Sequence, residues 1–93
     1  MITMTPRAHR VVRQVTSHPR VGRRSGLRIA ARGPHTRALG VGTVAAPEPG
    51  DSVVESDGAR IYLDSAAEPR VDGHLLDAVT EDSGRVRFVV RDR

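Results

Sequence analysis

The sequence predicts a small α+β or mainly β fold, in which one N-terminal helix packs on a sandwich of short, largely antiparallel strands. Val and Ile together number 16 against five Leu, and β-branched side chains favour strands. Apolar residues alternate with polar ones in several short segments, and turn dipeptides separate these segments. A chain of 93 residues has the length of one small domain, so we expect residues 1–93 to form a single domain.

The start of the helix is predicted at Thr5 and Pro6, because Thr is a favourable N-cap and Pro loses no hydrogen bond at the first helical position. The apolar residues that follow share one face of the helix: Ala8, Val11, Val12 and Val15. We expect the helix to end near Ser17-His18-Pro19, since proline disfavours the helical conformation in the residue before it. Valine is a mediocre helix former, so this helix is expected to depend on docking against a sheet.

Strands are predicted where apolar alternation lies between turn residues. The predicted strand segments are 2–4, 26–32, 38–45, 53–55, 59–63, 74–80 and 85–91. Asp57-Gly58 is a strong signal for a two-residue hairpin. We expect Asp64 to cap one short helical turn at Ser65–Glu68, which Pro69 ends. Gly40-Val41-Gly42 either weakens its strand or permits the close approach of another backbone.

Charge is distributed unevenly along the chain. Residues 1–47 carry nine Arg and no acidic residue, whereas residues 48–93 carry six Arg and eleven acidic residues. Such asymmetry can indicate a basic surface for an acidic partner. It is also expected when two halves of one fold face each other and partly neutralise, and we favour this second interpretation because a small domain interleaves its halves. All 15 basic residues are Arg, which hints at a GC-rich bacterial genome.

Composition excludes several classes of function. The chain has no cysteine, so it has no disulfide, no thiolate-held metal or cluster and no cysteine nucleophile. It has no run of about 18 apolar residues and no signal-peptide pattern, so we expect a cytoplasmic protein that does not enter membranes. Nucleic acid is disfavoured as a partner because one Tyr, one Phe and no Trp leave almost no platform for base stacking. The arginines that could contact phosphates are Arg20, Arg23, Arg24, Arg28, Arg32 and Arg37.

No arrangement of residues predicts catalysis or a resident metal. Gly40-Val41-Gly42 is too short for a phosphate loop, and no serine has the context of a nucleophile elbow (Ser25, Ser52, Ser65). The clustered acids do not match a calcium loop and are typical of a solvated rim: Glu48, Asp51, Glu55 and Asp57. The histidines lack ligand spacing and are typical of surface residues: His9, His18, His35 and His74. We therefore expect no catalytic, cofactor-binding or metal-ligating residue, no cofactor and no enzymatic activity.

Several segments nevertheless occur in a familiar order and spacing. They are Ile2-Thr3-Met4-Thr5-Pro6-Arg7-Ala8, Gly26-Leu27-Arg28-Ile29, Pro49-Gly50-Asp51-Ser52-Val53-Val54-Glu55, Gly58-Ala59-Arg60-Ile61-Tyr62-Leu63-Asp64, and Leu75-Leu76-Asp77 with Phe88. Together they resemble the A-type iron–sulfur carriers, the HesB/IscA-like family of iron–sulfur cluster biogenesis. The resemblance covers residue 2 to about residue 90. It implies a small β-sandwich with an N-terminal helix that holds iron or a cluster and passes it to acceptor proteins, usually as a dimer.

The sequence departs from this family at the ligands. The family's ligands are three cysteines, of which one lies in the loop after the Gly-Leu-Arg strand and two lie in a Cys-Gly-Cys tail. The loop position corresponds roughly to His35-Thr36, and after Phe88 the chain reads Val89-Val90-Arg91-Asp92-Arg93 without that tail. No family ligand can be carried over to a residue of this chain, which resembles a cysteine-less branch associated with actinobacteria.

Two hypotheses for function follow from the resemblance. In the first, the protein is an accessory or protein-binding member of iron–sulfur cluster assembly that does not hold the cluster, with an assembly component or a second copy as its partner. In the second, the fold is a metal-free binding module, with an anionic partner at its Arg-rich N-terminal half. His35 as a weak iron ligand beside carboxylates is a less favoured variant. The first hypothesis rests on analogy of fold.

Overall fold

The computed structural model describes residues 1–17, 24–33 and 38–92. Its elements are β1 (Thr3–Met4), α1 (Pro6–Ser17), β2 (Gly26–Ala31), β3 (Leu39–Val44), β4 (Ser52–Ser56), β5 (Ala59–Leu63), α2 (Glu68–Val71), β6 (Leu75–Thr80) and β7 (Val86–Arg91). The strands of the described residues form a three-stranded sheet, in the order β1-β6-β7, and a four-stranded sheet, in the order β3-β2-β5-β4. The pairs β1–β6 and β2–β5 are parallel and the other pairs are antiparallel. Two short sheets with one N-terminal helix confirm the predicted fold class.

The α1 helix lies against both sheets. Its N-cap is Thr5, as predicted, because the Ala8 N–H donates to Thr5 Oγ1 at 3.2 Å. The helix contacts β2 and β5 of one sheet and β6 of the other. Ala8 and Val12 are fully buried, which confirms the predicted apolar face. The predicted end at Ser17-His18-Pro19 falls at the limit of the described residues.

The hydrophobic core lies where the two sheets and α1 meet. Its buried members are Ile2, Ala8, Val12, Leu27, Ile29, Ala59, Ile61, Leu63, Ala67, Val71, Leu76 and Ala78. The inner strands β2, β5 and β6 supply most of these residues, whereas β3, β4 and β7 add side chains that are only partly buried. The outer strands thus complete the core and keep one face toward solvent.

The β4–β5 hairpin forms at the predicted place. Ser56 pairs with Ala59, so Asp57 and Gly58 are the two loop residues. Their φ angles are 47° and 85°, in the left-handed region that a type I′ turn requires at both positions. Glycine adopts this conformation without steric cost, and aspartate tolerates it better than most residues.

The segment after β5 differs from its prediction in one respect. Asp64 caps a turn as expected, since the Ala67 N–H donates to Asp64 Oδ1 at 2.6 Å. The helix itself, α2, begins at Glu68, where the predicted turn should end. The prediction that Pro69 ends the helical turn is wrong. Pro69 lies in the first turn of α2, where the N–H that proline lacks would have no helical acceptor.

Of the two alternatives for Gly40 and Gly42, the close approach of another backbone is not observed there, and it occurs at Gly26 instead. A Cβ atom on Gly26 of β2 would lie 2.8 Å from the Arg60 carbonyl oxygen and 3.2 Å from Tyr62 Cε2. A Cβ atom on Gly42 of β3 would meet nothing within 4 Å, and one on Gly40 would meet nothing nearer than 3.7 Å. Gly26 thus lets the Tyr62 ring and the β5 backbone come close to β2, while Gly40 and Gly42 are not required for contact.

We expect Gly26→Ala to lower the free energy of unfolding by about 1–3 kcal/mol, because the added methyl group overlaps the β5 backbone. Urea denaturation followed by circular dichroism measures this change. Gly42→Ala is the matched control in the neighbouring strand, where the methyl group has open space and the reduced freedom of the unfolded chain favours folding slightly. Equal losses in the two variants would contradict the close approach at Gly26.

Candidate functional site

The loop that carries a cysteine in the resembled family leaves β2 beside α2. His35-Thr36, the corresponding position, lies outside the described residues. The base of the loop is described: the Arg32 N–H donates to the Ala38 carbonyl oxygen at 3.0 Å. Arg70 of α2 reaches this base, with Nη2 at 3.5 Å from the Gly33 carbonyl oxygen. The β2–β3 loop is therefore anchored to the side of α2.

The end of β7 lies close to the residues that follow α2 in the chain. Leu75 pairs with Arg91, which brings Asp92 next to His74, shortly after the end of α2 at Val71. His74 Nε2 lies 3.0 Å from Asp92 Oδ1. The chain thus brings the loop base and the end of β7 to one short helix, but it presents no thiolate at either place.

The remaining metal-ligating groups near α2 are already in contact with other groups. His74 Nδ1 lies 3.0 Å from the Asp72 carbonyl oxygen and Nε2 faces the Asp92 carboxylate, so both ring nitrogens face acceptors. A metal needs a free lone pair on a neutral imidazole ring, and this arrangement directs none outward. Within residues 1–17, 24–33 and 38–92, no group of three or more His, Asp or Glu side chains is placed to hold a metal ion.

The other histidines are not near this position as far as they are described. His9 Nε2 lies 2.8 Å from the Ser56 carbonyl oxygen, so His9 donates this hydrogen bond and connects α1 to β4. His18 and His35 lie outside the described residues. Among the serines, Ser25 is buried and donates to the Thr16 carbonyl oxygen at 3.0 Å, at the end of α1. This contact gives Ser25 a structural role.

One acidic residue of the predicted solvated rim is buried, which corrects the prediction for Asp51. Arg28 binds its carboxylate with two hydrogen bonds, Nε to Oδ2 at 2.8 Å and Nη2 to Oδ1 at 3.0 Å. The Asp51 side chain is only 2% exposed, whereas that of Glu48 is 70% exposed. The hydrogen bond from Arg28 holds the pKa of the Asp51 carboxyl below its ordinary value. Asp51 is therefore a structural anion that joins β2 to the turn before β4.

The interpretation that the two halves of the chain neutralise each other holds at Arg28. This residue belongs to the basic half and pairs with Asp51 and Glu48 of the acidic half. Other arginines of the basic half have no ion-pair partner in the part of the chain that the structure describes, namely Arg7, Arg10, Arg13, Arg24 and Arg32. Arg20, Arg23 and Arg37 lie outside that part. Much of the positive charge is thus left for solvent or for a partner.

Two of these arginines lie around one surface depression at the start of α1. It has a volume of about 450 Å³ and is lined by Thr5, Pro6, Arg7, Arg10 and Asp77. We call these five residues the arginine depression. Asp77 Oδ1 accepts hydrogen bonds from Thr5 Oγ1 at 2.7 Å and from the Ala78 N–H at 2.8 Å. The bond from Thr5, with smaller contributions from Ala78 and Arg91, lowers the pKa of Asp77.

The sequence did not predict this depression. Arg7 and Arg10 lie outside the predicted apolar face of the helix, and their spacing of three residues is a local signal that they are neighbours. Nothing local indicates that Asp77 of β6 lies beside them, or that Arg91 of β7 donates to Asp77 Oδ2 at 3.1 Å. These contacts depend on the pairing of β1, β6 and β7, which brings together residues more than 70 positions apart in the chain.

A more apolar groove of about 490 Å³ lies between β4, α2 and the N-terminus. Its polar groups bind one another: the amino group of Met1 contacts the Asp72 carboxylate, and the Ser52 hydroxyl donates to Glu68. Ser52 has no histidine beside it, so the groove has no activated nucleophile. Neither helix of the described residues combines the length and the apolar composition that a membrane span needs.

Comparison with known proteins shows likeness at the level of structure. No protein-family model matches the sequence, and no curated protein matches it. Escherichia coli SufA, involved in biosynthesis of iron–sulfur clusters, is 25% identical over 98% of this chain and 79% of its own, with a TM-score of 0.75. IscA with a [2Fe-2S] cluster is 22% identical over 97% of this chain and 85% of its own, with a TM-score of 0.64. A protein from Aquifex aeolicus is 23% identical over 99% and 91% of the two chains, with a TM-score of 0.66.

These structures define the class of protein to which the fold is similar. The chain has the fold of the A-type iron–sulfur carriers, as the resemblance to the HesB/IscA-like family predicts. It is a version of that fold without a single cysteine. The similarity covers 97% to 99% of this chain in the three structures.

We expect Asp51→Asn to lower the free energy of unfolding by about 1–3 kcal/mol at pH 7, because Arg28 loses a charged, buried partner. A carboxyl group whose pKa is lowered by folding stabilises the protein above its unfolded pKa, and this contribution disappears as the pH falls through the folded pKa. The difference between wild type and variant should therefore be complete at pH 7 and shrink below about pH 4.

Urea denaturation at pH 7 and at pH 3 measures both effects. The control is Asp82→Asn in the exposed β6–β7 turn, which removes the same charge where Asp82 has no hydrogen bond or ion pair with another described residue. A loss at pH 3 as large as the loss at pH 7 would show that the Arg28–Asp51 ion pair is not its cause.

Proposed function

We propose that the protein acts in iron–sulfur cluster assembly as a non-enzymatic, protein-binding accessory that does not hold a cluster itself. It works as one domain, residues 1–93, in the cytoplasm. One observation carries the proposal: the fold matches SufA over 98% of the chain, and the chain has no cysteine. Iron–sulfur clusters are held mainly by cysteine thiolates, so the similarity of fold does not extend to the side chains that would hold a cluster.

The surroundings of α2 support the absence of a cluster. His74 is in contact with Asp72 and Asp92, and the Asp92 side chain is 95% exposed, which is a poor setting for a stable metal ligand. Carboxylates and a single histidine also favour harder ions than the sulfide-bridged iron of a cluster. The base of the β2–β3 loop and the end of β7 can therefore keep their places in the fold without binding a metal.

The accessory role follows from the shared shape. A chain with a carrier's fold can present a carrier's surfaces to the proteins that handle clusters, and it can do so without accepting the cluster. Its partner is then an assembly component, with a second copy of the chain as the competing possibility. If the chain binds these proteins without taking up a cluster, it competes with a cluster-holding carrier for them or occupies the place of that carrier.

We expect the protein purified without oxygen to contain neither iron nor sulfide in stoichiometric amount, before and after incubation with ferrous iron and sulfide. Colorimetric iron and sulfide assays, with the absorbance spectrum between about 300 and 700 nm, measure this. A cysteine-bearing A-type carrier treated in parallel is the positive control. Stoichiometric iron that disappears in His35→Ala would overturn the proposal and assign the iron to that loop.

Binding to the assembly machinery is measured separately. The purified chain is titrated with a purified A-type carrier, empty and cluster-loaded, and transfer from the loaded carrier to an apo-ferredoxin is followed by circular dichroism. We expect the chain to bind the carrier, to change the transfer rate and to finish without a cluster. No binding to either form and an unchanged transfer rate would contradict the accessory role.

The second hypothesis, a metal-free module for an anionic partner, is favoured by the arginine depression, where Arg10 has no hydrogen bond or ion pair with another described residue. Both hypotheses require the absence of a cluster. They differ in whether the partner belongs to cluster assembly, which the carrier titration tests.

A further inference from the structure

The arginine depression combines groups from three elements. Arg7 and Arg10 are three residues apart on α1, so their side chains leave the same face of the helix. Arg7 Nη1 lies 3.4 Å from the Ala78 carbonyl oxygen, which places this guanidinium over β6. Arg91 of β7 contacts Asp77, with Nε at 3.1 Å from Oδ2. The Asp77 carboxylate thus lines the depression together with Arg7 and Arg10 and pairs with Arg91.

The balance of charge at this place is positive. Arg7 and Arg10 line the depression and Arg91 pairs with Asp77, which is the one acidic residue that lines the depression within the described chain. The start of α1 adds the positive end of the helix dipole, and the side chains of Arg7 and Arg10 are exposed. Asp77 contacts Arg91 and Thr5, and among the described residues the Arg10 side chain has no hydrogen-bond or ion-pair partner, while the Arg7 side chain has only a long contact to a carbonyl group.

The surroundings favour carboxylates of a protein over the phosphates of a nucleic acid. The one tyrosine, Tyr62, is only 3% exposed and donates to the Arg24 carbonyl oxygen at 2.6 Å, and Phe88 packs against the core. Neither ring can stack on a base. Pro6 and the half-buried Val89 beside Asp77 instead offer apolar surface to the aliphatic part of acidic side chains.

We propose that Arg7, Arg10 and Arg91 form a docking surface for an acidic segment of a partner protein, and that Asp77 occupies this surface when the partner is absent. Guanidinium groups bind carboxylates through paired hydrogen bonds, and the spacing of the three arginines presents several donors to one short stretch of Asp and Glu. The proposal rests on the proposed function only in taking the partner to be a protein. It adds the surface and the chemistry of the segment that binds there.

The first test compares a variant that loses two positive charges inside the surface with one that loses two positive charges outside it. A fluorescein-labelled decaglutamate peptide is titrated with wild type, with Arg7→Gln/Arg10→Gln and with Arg13→Gln/Arg24→Gln in low salt, and fluorescence anisotropy gives each Kd. Both double variants lose the same net charge from exposed arginines of the same half of the chain. We expect the first to weaken binding by about 10-fold or more and the second by less than about 3-fold, because charged hydrogen bonds exceed the general field in strength.

The second test moves affinity in the opposite direction. Asp77→Asn removes the resident carboxylate and frees Arg91, so we expect it to tighten peptide binding by about 3-fold or more. Asp82→Asn, which adds the same charge in a distant exposed turn, is the control and should tighten binding by less. Circular dichroism confirms that each variant is folded. The variant Arg91→Gln tests the Arg91 guanidinium by itself, because it leaves Thr5 and Asp77 in contact and does not disturb the helix cap.

Several outcomes would overturn the proposal. Equal weakening by the two double variants would show a diffuse charge effect. Tighter binding of a DNA duplex, or displacement of the peptide by inorganic phosphate at the same concentration, would assign the surface to phosphates. Self-association that Arg7→Gln/Arg10→Gln abolishes would assign it to a second copy. None of these measurements uses iron or a carrier. They therefore test the docking surface independently of the cluster assays, which test the proposed function.

Discussion

Residues 2–12 connect the two sheets, and the packing of the molecule depends on this connection. β1 pairs with β6 in the three-stranded sheet, while α1 packs on β2 and β5 of the four-stranded sheet. Ile2, Ala8 and Val12 are buried at the meeting point. A helix of 12 residues that contains valines and three arginines has little stability alone, so burial of its apolar face must hold it in place. Thr5 fixes its start by accepting from Ala8 and donating to Asp77, and so joins the helix to β6.

Local sequence signals account for much of the fold, and long-range pairing accounts for what they missed. Thr5-Pro6 predicts the helix start and Asp57-Gly58 predicts the hairpin, because in each the chemistry of one or two residues decides the local conformation. The order β3-β2-β5-β4 has no such signal, since the paired residues of β2 and β5, such as Leu27 and Ile61, are 34 positions apart and their apolar side chains would suit many neighbours. For the same reason the sequence predicted neither the burial of Asp51 nor the close approach at Gly26. Both depend on which strand lies beside β2.

In the candidate site, too, some features are visible in the sequence and others depend on long-range pairing. The loss of the family's cysteines is visible in the sequence alone, and the structure adds that the described parts of both places lie beside α2. Contacts between described protein groups account for this arrangement. Arg70 anchors the loop base, His74 contacts the end of β7, and Val71 buries α2 in the core. In proteins whose metal supplies the folding energy, loss of the ligands removes the structure. In this chain the described contacts are apolar burial and hydrogen bonds, and none of them uses a cysteine.

The arginines of this chain serve two purposes, and their environments distinguish them. Arg28 is mostly buried and matched by two acids, so its charge contributes to the stability of the four-stranded sheet. Arg7 and Arg10 are exposed and outnumber the acids near them, so their charge contributes little to folding and is available for recognition. Asp77 connects the two purposes, because it caps the fold through Thr5 and at the same time restrains Arg91. An acidic partner would exchange Asp77 for its own carboxylate on Arg91 while the Thr5 contact stays in place. Binding could then proceed without unfolding the start of α1, and the structural and recognition roles of this surface would remain separable.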